Sequence, residues 1–418
     1  MVLKNKIIRD PIHGNIKIDG VFLELIESPE IQRLYNIKQL GFTHLVFPGA
    51  HHTRLEHCLG TYFTAYKAAE NLNLKEEEKK IVACAAILHD IGHGPFSHTL
   101  ESILREKLNV DHVDLTKELI SGKHVIYDEK EKRYIDSPNV FEILHKHNID
   151  PFQISKIVGG EPIKNNYLSQ LLNSSIDVDQ LDYLIRDSYY TGVAYGMIDI
   201  EHFLHTLTIK NDNLAVEKKG IEVVENILMA RALMYSSVYF HKTVRIAELM
   251  LSKAIELIKD YEPYNFFKMT DAELMNYLRN KNGFQNEIAT RLKFRNLFKQ
   301  VYAKSKLNLK KDQINIVKKL EDVEFRRQKE LEFEDFLDIP QGHIIIDAPF
   351  KEIHLSEPRI DKTDILIVED KGVKKISEFT PIAEAIKLRS IPSWDIMIIT
   401  DERYRDKVEK NIEKILYS

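Results

Sequence analysis

The chain has 418 residues, of which 44% are hydrophobic and 29% charged, with a formal net charge of −5. That length predicts two or three packed units with sizeable cores. No run approaches the roughly 20 apolar residues that span a bilayer, and Met1 to Lys6 lacks the pattern of a signal peptide, so a cytoplasmic protein without a membrane partner is expected. Two cysteines, Cys58 and Cys84, exclude a disulfide framework and suit a reducing compartment. The charge balance gives no overall pull towards nucleic acid.

In chain order, Lys6 to Ile18 reads as two short strands around a Pro/Gly turn, Asp10-Pro11-Ile12-His13-Gly14. Ile31 to Leu40 has apolar residues at helical steps and stops at Gly41. His57 to Leu72 and Glu76 to His93 read as helices, with the charged run Lys75 to Lys80 as a solvated helix start. Residues 123–135 carry a charged break expected as an exposed hairpin or loop. Helical patterning resumes at Val140. His205 to Val224 predicts a β-hairpin turning at Asn211-Asp212-Asn213, and Glu225 to Ile258 a long helix, with more helix to about residue 305. After Pro340 the pattern changes to β-rich runs at 343–347, 364–368 and 395–399, with short helices at 381–389 and 403–416.

Eight of the 17 histidines precede residue 100, and the chemistry concentrates there. His89 and Asp90 are adjacent at the end of a predicted helix, and an imidazole beside a carboxylate suits a borderline divalent cation. Adjacent helical residues diverge by about 100°, so further ligands must come from elsewhere. His57, in Arg54-Leu55-Glu56-His57, and Asp179, in Asp177-Val178-Asp179-Gln180, are the candidates. Singly, each of these residues is more often a satisfied core histidine or a helix cap. His93 and His98 flank Pro95, which implies a turn, and His98 and Glu101 share a helix face. Arg231, Tyr235 and Tyr239 form a stripe at four-residue steps that would ordinarily be a core seam.

The order His57, His89-Asp90, Asp179 resembles the HD superfamily of phosphohydrolases. The words "DPIHG", "IQRLYNIKQLG", "VFPGA", "TRLEHCLG", "LHDIGHGPFSH", "DVDQLDYLIRD" and "YFHKTVRIAELM" are similar to those of its deoxynucleoside triphosphate triphosphohydrolases, over roughly residues 6–300. The resemblance implies a mainly α fold: a helical HD metallo-phosphohydrolase core with a short N-terminal β-hairpin and a small C-terminal α+β subdomain. The expected divisions are 1–45, 46–260, 261–340 and 341–418.

It also implies one divalent ion (Fe, Mn, Ni, Co, Zn or Mg) held by His57, His89, Asp90 and Asp179. His98 with Glu101 would be the catalytic dyad, with His93 and His112 on phosphate. Arg54 and Arg231 would bind the triphosphate. Gln39, Leu40, Tyr183, Asp187, Tyr235 and Tyr239 would form the sugar and substrate walls, with Asp187 accepting from the 3′-hydroxyl. The implied reaction converts a dNTP to deoxynucleoside and tripolyphosphate. The best-known relatives have Lys where Gln180 stands, and His and Gln where Tyr235 and Phe240 stand, which leaves stepwise phosphate release open. A dimer or tetramer is expected, with an activating nucleotide at subunit contacts near Lys6, Glu27, Gln32 and Arg33. Tyr35 replaces an Arg of the best-studied members. The alternatives are an HD hydrolase of another phosphate ester, or a nucleotide or nucleic-acid sensor with little catalysis.

Overall fold

The computed structural model describes residues 5–97, 100, 108–259, 262–348, 365–370, 372–387 and 394–417. The expected hairpin is present as antiparallel strands β1 (Asn5–Asp10) and β2 (Gly14–Asp19). The turn closes on Asp10, whose carboxylate accepts from the Ile12 and His13 backbone N–H groups. Helices α1 (Gly20–Ile26) and α2 (Pro29–Arg33) follow.

The helix expected over 31–40 ends early. A 3-10 turn at Leu34–Asn36 gives way to extended backbone at Ile37. There the chain pairs with 52–54 instead: Gln39 N–H donates to His52 O at 3.0 Å and Arg54 N–H to Ile37 O at 2.9 Å. Tertiary pairing has taken the backbone groups that local periodicity assigned to a helix.

Two antiparallel neighbours, α3 (Arg54–Asn71) and α4 (Glu76–Leu88), form the centre. α3 begins where the Thr53 N–H donates to Glu56 Oε2 at 2.6 Å, a capping arrangement. Every residue of α4 from Val82 to Leu88 is buried. α4 stops at Leu88 rather than His93, so His89 and Asp90 sit in the turn that leaves it. Around this pair lie α5 (His112–Ile120), α6 (Val140–Lys146), α7 (Pro151–Val158), α8 (Asn166–Leu172) and α9 (Val178–Thr191). α9 packs on α3 at Gly60, where an added Cβ would lie 1.8 Å from Asp182 Oδ1. The charged break at 123–135 contains one helical turn, Glu129–Lys132, capped by Asp128.

α10 (Ile200–Thr206) leads into the predicted hairpin, β3 (Leu207–Lys210) and β4 (Asn213–Glu217), which turns at Asn211 and Asp212, both with positive φ. The long helix expected over 225–258 is two: α11 (Ile221–Met234) and α12 (Lys242–Glu256), separated by a π turn at Tyr235–Tyr239. Helices α13 (Pro263–Lys268), α14 (Asp271–Arg279) and α15 (Phe284–Lys293) follow. Residues 299–304, expected as helix, are instead strand β5 (Lys299–Lys304).

Beyond it come α16 (Lys311–Lys319), α17 (Val323–Leu337), β6 (Ile344–Asp347), β7 (Leu366–Glu369), β8 (Gly372–Lys375), α18 (Ile382–Lys387) and β9 (Ile396–Thr400). Two short helices, α19 (Arg405–Glu409) and α20 (Ile412–Leu416), end the described chain. The C-terminal strands divide between two sheets. β5, β9 and β6 form one, over a separate apolar cluster that includes Phe333, Leu337, Ile398 and Leu416. β7 pairs parallel with β4 in the order β3-β4-β7-β8, and its Ile367 belongs to the main core. No described helix is long and apolar enough to cross a membrane.

Candidate metal centre and adjoining pocket

His57 lies in the first turn of α3, His89 and Asp90 in the turn after α4, and Asp179 in the first turn of α9. His57 Nε2 is 3.0 Å from Asp179 Oδ1 and 4.0 Å from Asp90 Oδ2. His89 Nε2 is 3.2 Å from Asp90 Oδ1 and 3.6 Å from Asp179 Oδ1. The ligand atoms of His57, His89 and Asp90 all lie within 4.8 Å of one another, a group that can hold a metal ion. The early end of α4 lets the adjacent His89 and Asp90 reach one point.

The donor set fits a divalent cation. His57 Nδ1 is 2.8 Å from Asp182 Oδ2, and His89 Nδ1 is 2.8 Å from Ala86 O. Both partners only accept, so each Nδ1 carries the proton and each Nε2 offers a lone pair. His89 Nε2 is buried and has no hydrogen-bond partner, which a cation would supply. Burial opposes charge on His57, but its bonds to Asp179 and Asp182 prevail and push its pKa up to about 10. A proton and a metal therefore compete for one nitrogen.

Asp182 was not identified from the sequence. Besides His57, it accepts from His13 Nε2 at 2.7 Å and from Arg186 Nε and Nη2, both at 2.9 Å. Arg186 in turn holds Asp10 at 2.8 Å. The Asp182 and Arg186 side chains are fully buried, and the network ties the N-terminal hairpin to a ligand of the metal centre. The sequence signal is the four-residue step from Asp182 to Arg186, an acid and a base on one helix face; their burial, which demands partners, shows only in the fold.

Arg54 is committed to Asp90 and to Ser97 Oγ. Burial opposes ionisation of Asp90, yet His89, His93 and Arg54 hold its pKa well below the ordinary carboxylate value. His93 Nε2 is 3.4 Å from Asp90 Oδ1, and its ring stacks on His112 at 3.9 Å. Burial first, then Arg54 and His112, keep His93 well below the usual imidazole pKa and so neutral. His98 and Glu101, the expected dyad, lie outside the described residues.

The expected sugar wall is contiguous with this corner. The Tyr183 ring stands 6.4 Å from His57 and 6.1 Å from Tyr239. Tyr239 OH donates to Asp187 Oδ2 at 2.8 Å, and His52 Nε2 lies 2.7 Å from Asp187 Oδ1. The π turn carries both Tyr235, which is buried, and Tyr239, with their rings 5.0 Å apart. Gln39 is buried and its Oε1 lacks a partner, while Leu40 packs partly exposed against the core. Arg231 is also buried, and its Nη1 donates to Ser175 O and Gln180 Oε1, both at 2.9 Å.

Of the positions expected to meet an activator, Lys6 and Glu27 are exposed and pair with each other, and Gln32 donates to Ile26 O. Arg33 is buried. It donates to the carbonyls of Ile91, His93, Phe267 and Met269, bracing the loop that follows Asp90.

An HD domain matches residues 54–187, and an HD-associated region matches residues 198–417. An uncharacterised protein of Methanocaldococcus jannaschii is 34% identical over 423 residues, covering 98% of this chain and 82% of that protein. The deoxynucleoside triphosphate triphosphohydrolase SAMHD1 homologue of Dictyostelium discoideum is 27% identical, over 71% of this chain and 60% of that protein. The crystal structure of a phosphohydrolase from Bacteroides thetaiotaomicron aligns with a TM-score of 0.69 at 26% identity, over 96% of this chain and all of that one. The HD signature at the metal centre and the associated region behind it make this chain a member of the HD phosphohydrolase family, among whose members are SAMHD1-like enzymes.

Proposed function

We propose that the chain hydrolyses deoxynucleoside triphosphates to deoxynucleoside and tripolyphosphate, with a divalent cation held by His57, His89, Asp90 and Asp179. The observation that carries this reading is the contact of the metal centre, through Tyr183, with the Asp187–Tyr239 pair. A phosphate site and a hydroxyl-recognising site thus share one wall. The cation, when bound, supplies Lewis acidity at phosphoryl oxygens.

In this reading the neutral His93 and its stacked partner His112 donate to phosphate oxygens, and Arg54, anchored by Asp90 and Ser97, adds positive charge beside them. Tyr183 packs on the sugar, Asp187 accepts from its 3′-hydroxyl, and Gln39 and Leu40 border the 2′-carbon. Tyr235 supports Tyr239 from behind. His98, oriented by Glu101, delivers the proton to the leaving 5′-oxygen. The cytoplasm, a dimer or tetramer, and activation by a nucleotide at a subunit contact belong to the same proposal.

A second reading, removal of one phosphate at a time, is favoured by one observation. Gln180 stands where a lysine would add an ammonium, and it takes a hydrogen bond from Arg231 Nη1 instead, so the tripolyphosphate has one cation fewer to meet. The test is to incubate metal-loaded protein with each dNTP and NTP, singly and mixed, and to separate the products. Tripolyphosphate with deoxynucleoside supports the first reading, and nucleoside diphosphate the second. No turnover with metal bound would refute both and leave a sensor.

A further inference from the structure

We propose that His52 is a positioning residue that fixes the sugar end of the site, an inference that rests on the dNTP reading above. His52 Nε2 is 2.7 Å from Asp187 Oδ1 and its side chain is fully buried. Asp187 can only accept when ionised, so Nε2 is the donor and Nδ1 is left as an acceptor. That Nδ1 is buried without a hydrogen-bond partner, as is Gln39 Oε1.

His52 also holds the opposite wall. Its carbonyl accepts from the Gln39 N–H, and the flanking residue Thr53 bridges to Lys38. Its ring lies flat on Tyr190, with centroids 4.4 Å apart at 12°. Tyr190 OH donates to Glu56 Oε1 at 2.7 Å, and Glu56 caps the helix that carries His57. One residue therefore joins the segment of Gln39 and Leu40 through its carbonyl and, through its ring, the carboxylate of Asp187 and, by way of Tyr190 and Glu56, the start of α3.

The consequence for specificity follows from the two oxygens of Asp187. Tyr239 holds one and His52 the other, so the carboxylate plane is fixed, and with it the direction of the lone pair left on each oxygen. With Tyr239 alone the carboxylate can rotate about its last torsion, and a bond to a hydroxyl loses its alignment.

The test compares kcat/KM for a dNTP and its 2′,3′-dideoxy analogue in metal-loaded wild type, His52→Phe and His52→Gln. His52→Phe keeps a ring on Tyr190 and removes the donor, whereas His52→Gln keeps a donor of similar reach. The wild type is expected to prefer the dNTP by roughly 10- to 100-fold, the range of a hydrogen bond to a charged group. In His52→Phe that ratio should fall to about threefold or less through loss of dNTP turnover, with dideoxy turnover and metal content unchanged, and His52→Gln should restore most of it. If His52→Phe folds poorly, His52→Leu serves for the same comparison. Equal loss on both nucleotides, or a ratio retained without the donor, would show His52 to be merely structural. A wild type that turns over neither nucleotide, or does not distinguish them, overturns the substrate reading and this inference with it.

Discussion

Replacing Asp182 by asparagine tests the support of the metal centre without touching a ligand. The side chain keeps its shape but exchanges one acceptor oxygen for an amide donor. Asp182 now receives His57 Nδ1 at 2.8 Å, His13 Nε2 at 2.7 Å and two Arg186 nitrogens at 2.9 Å. In Asp182→Asn at least one of these donors faces another donor. Arg186 is not stranded, because Asp10 still holds it through Nη1 at 2.8 Å and Nη2 at 3.3 Å. The stability cost should therefore sit near the low end of a broken buried pair, about 3 kcal/mol. His57 is left with a neutral carbonyl or with no acceptor at all, so its tautomer is held less firmly and its basicity falls. Metal affinity should then drop by about 10- to 100-fold, equivalent to about 1.4–2.7 kcal/mol. Titration of metal-free protein with Mn or Co in a calorimeter reads the affinity directly, and a denaturant midpoint reads stability separately. A folded Asp182→Asn protein with wild-type metal affinity would refute the argument that this carboxylate serves the ligand.

Asp179→Ala removes a proposed ligand outright. Metal occupancy by elemental analysis should vanish while far-ultraviolet circular dichroism stays as in wild type, and retained metal contradicts the assignment. Glu30 is buried, and burial pushes its pKa up to about 7 from an ordinary 4.5. Between those values the folded state binds more protons than the unfolded, so this group makes stability fall as pH rises from about 4.5 to about 7. Glu30→Gln should abolish that slope and gain about 3 kcal/mol at pH 8, with no gain at pH 4; denaturant midpoints across this range decide it, and an unchanged slope counts against it. Gly60→Ala places a methyl within 2.4 Å of Arg186 Nη2 as well as against Asp182. It should lower stability by at least about 1–3 kcal/mol, and a midpoint equal to wild type would show that α9 can move aside.

Much of this was readable beforehand because the ligand-bearing words are locally distinctive. His57, His89, Asp90 and Asp179 stand in short strings whose residue types already suit a cation, and the structure brings their atoms together. Asp182 and Arg186 stand in the same string as Asp179, and His13 in the N-terminal turn, but singly they declare nothing; their role exists only once the hairpin, α3 and α9 meet. His52 is one of four histidines between 44 and 57, and only its burial, its bond to a residue 135 positions away and its stacking on Tyr190 separate it from His51. The fold shows the same division. Hairpins with strong turn chemistry, such as Asn211-Asp212, read correctly. β5 did not, because its backbone is claimed by β9 nearly a hundred residues later, and sequence periodicity carries no record of so distant a partner. The π turn at Tyr235–Tyr239 likewise hides inside a run of good helical spacing.

The parallel pairing of Val216 and Glu217 with Ile367 and Val368 bears on how the protein can be dissected. A fragment ending near residue 340 would discard more than a terminal appendage: it would strip β4 of a neighbour and leave its backbone groups as a bare edge beside an uncovered apolar surface. Such an edge recruits strands from other molecules. Fragments cut between β4 and β7 should therefore self-associate, and a version that keeps β7 beside β4 should stay monodisperse.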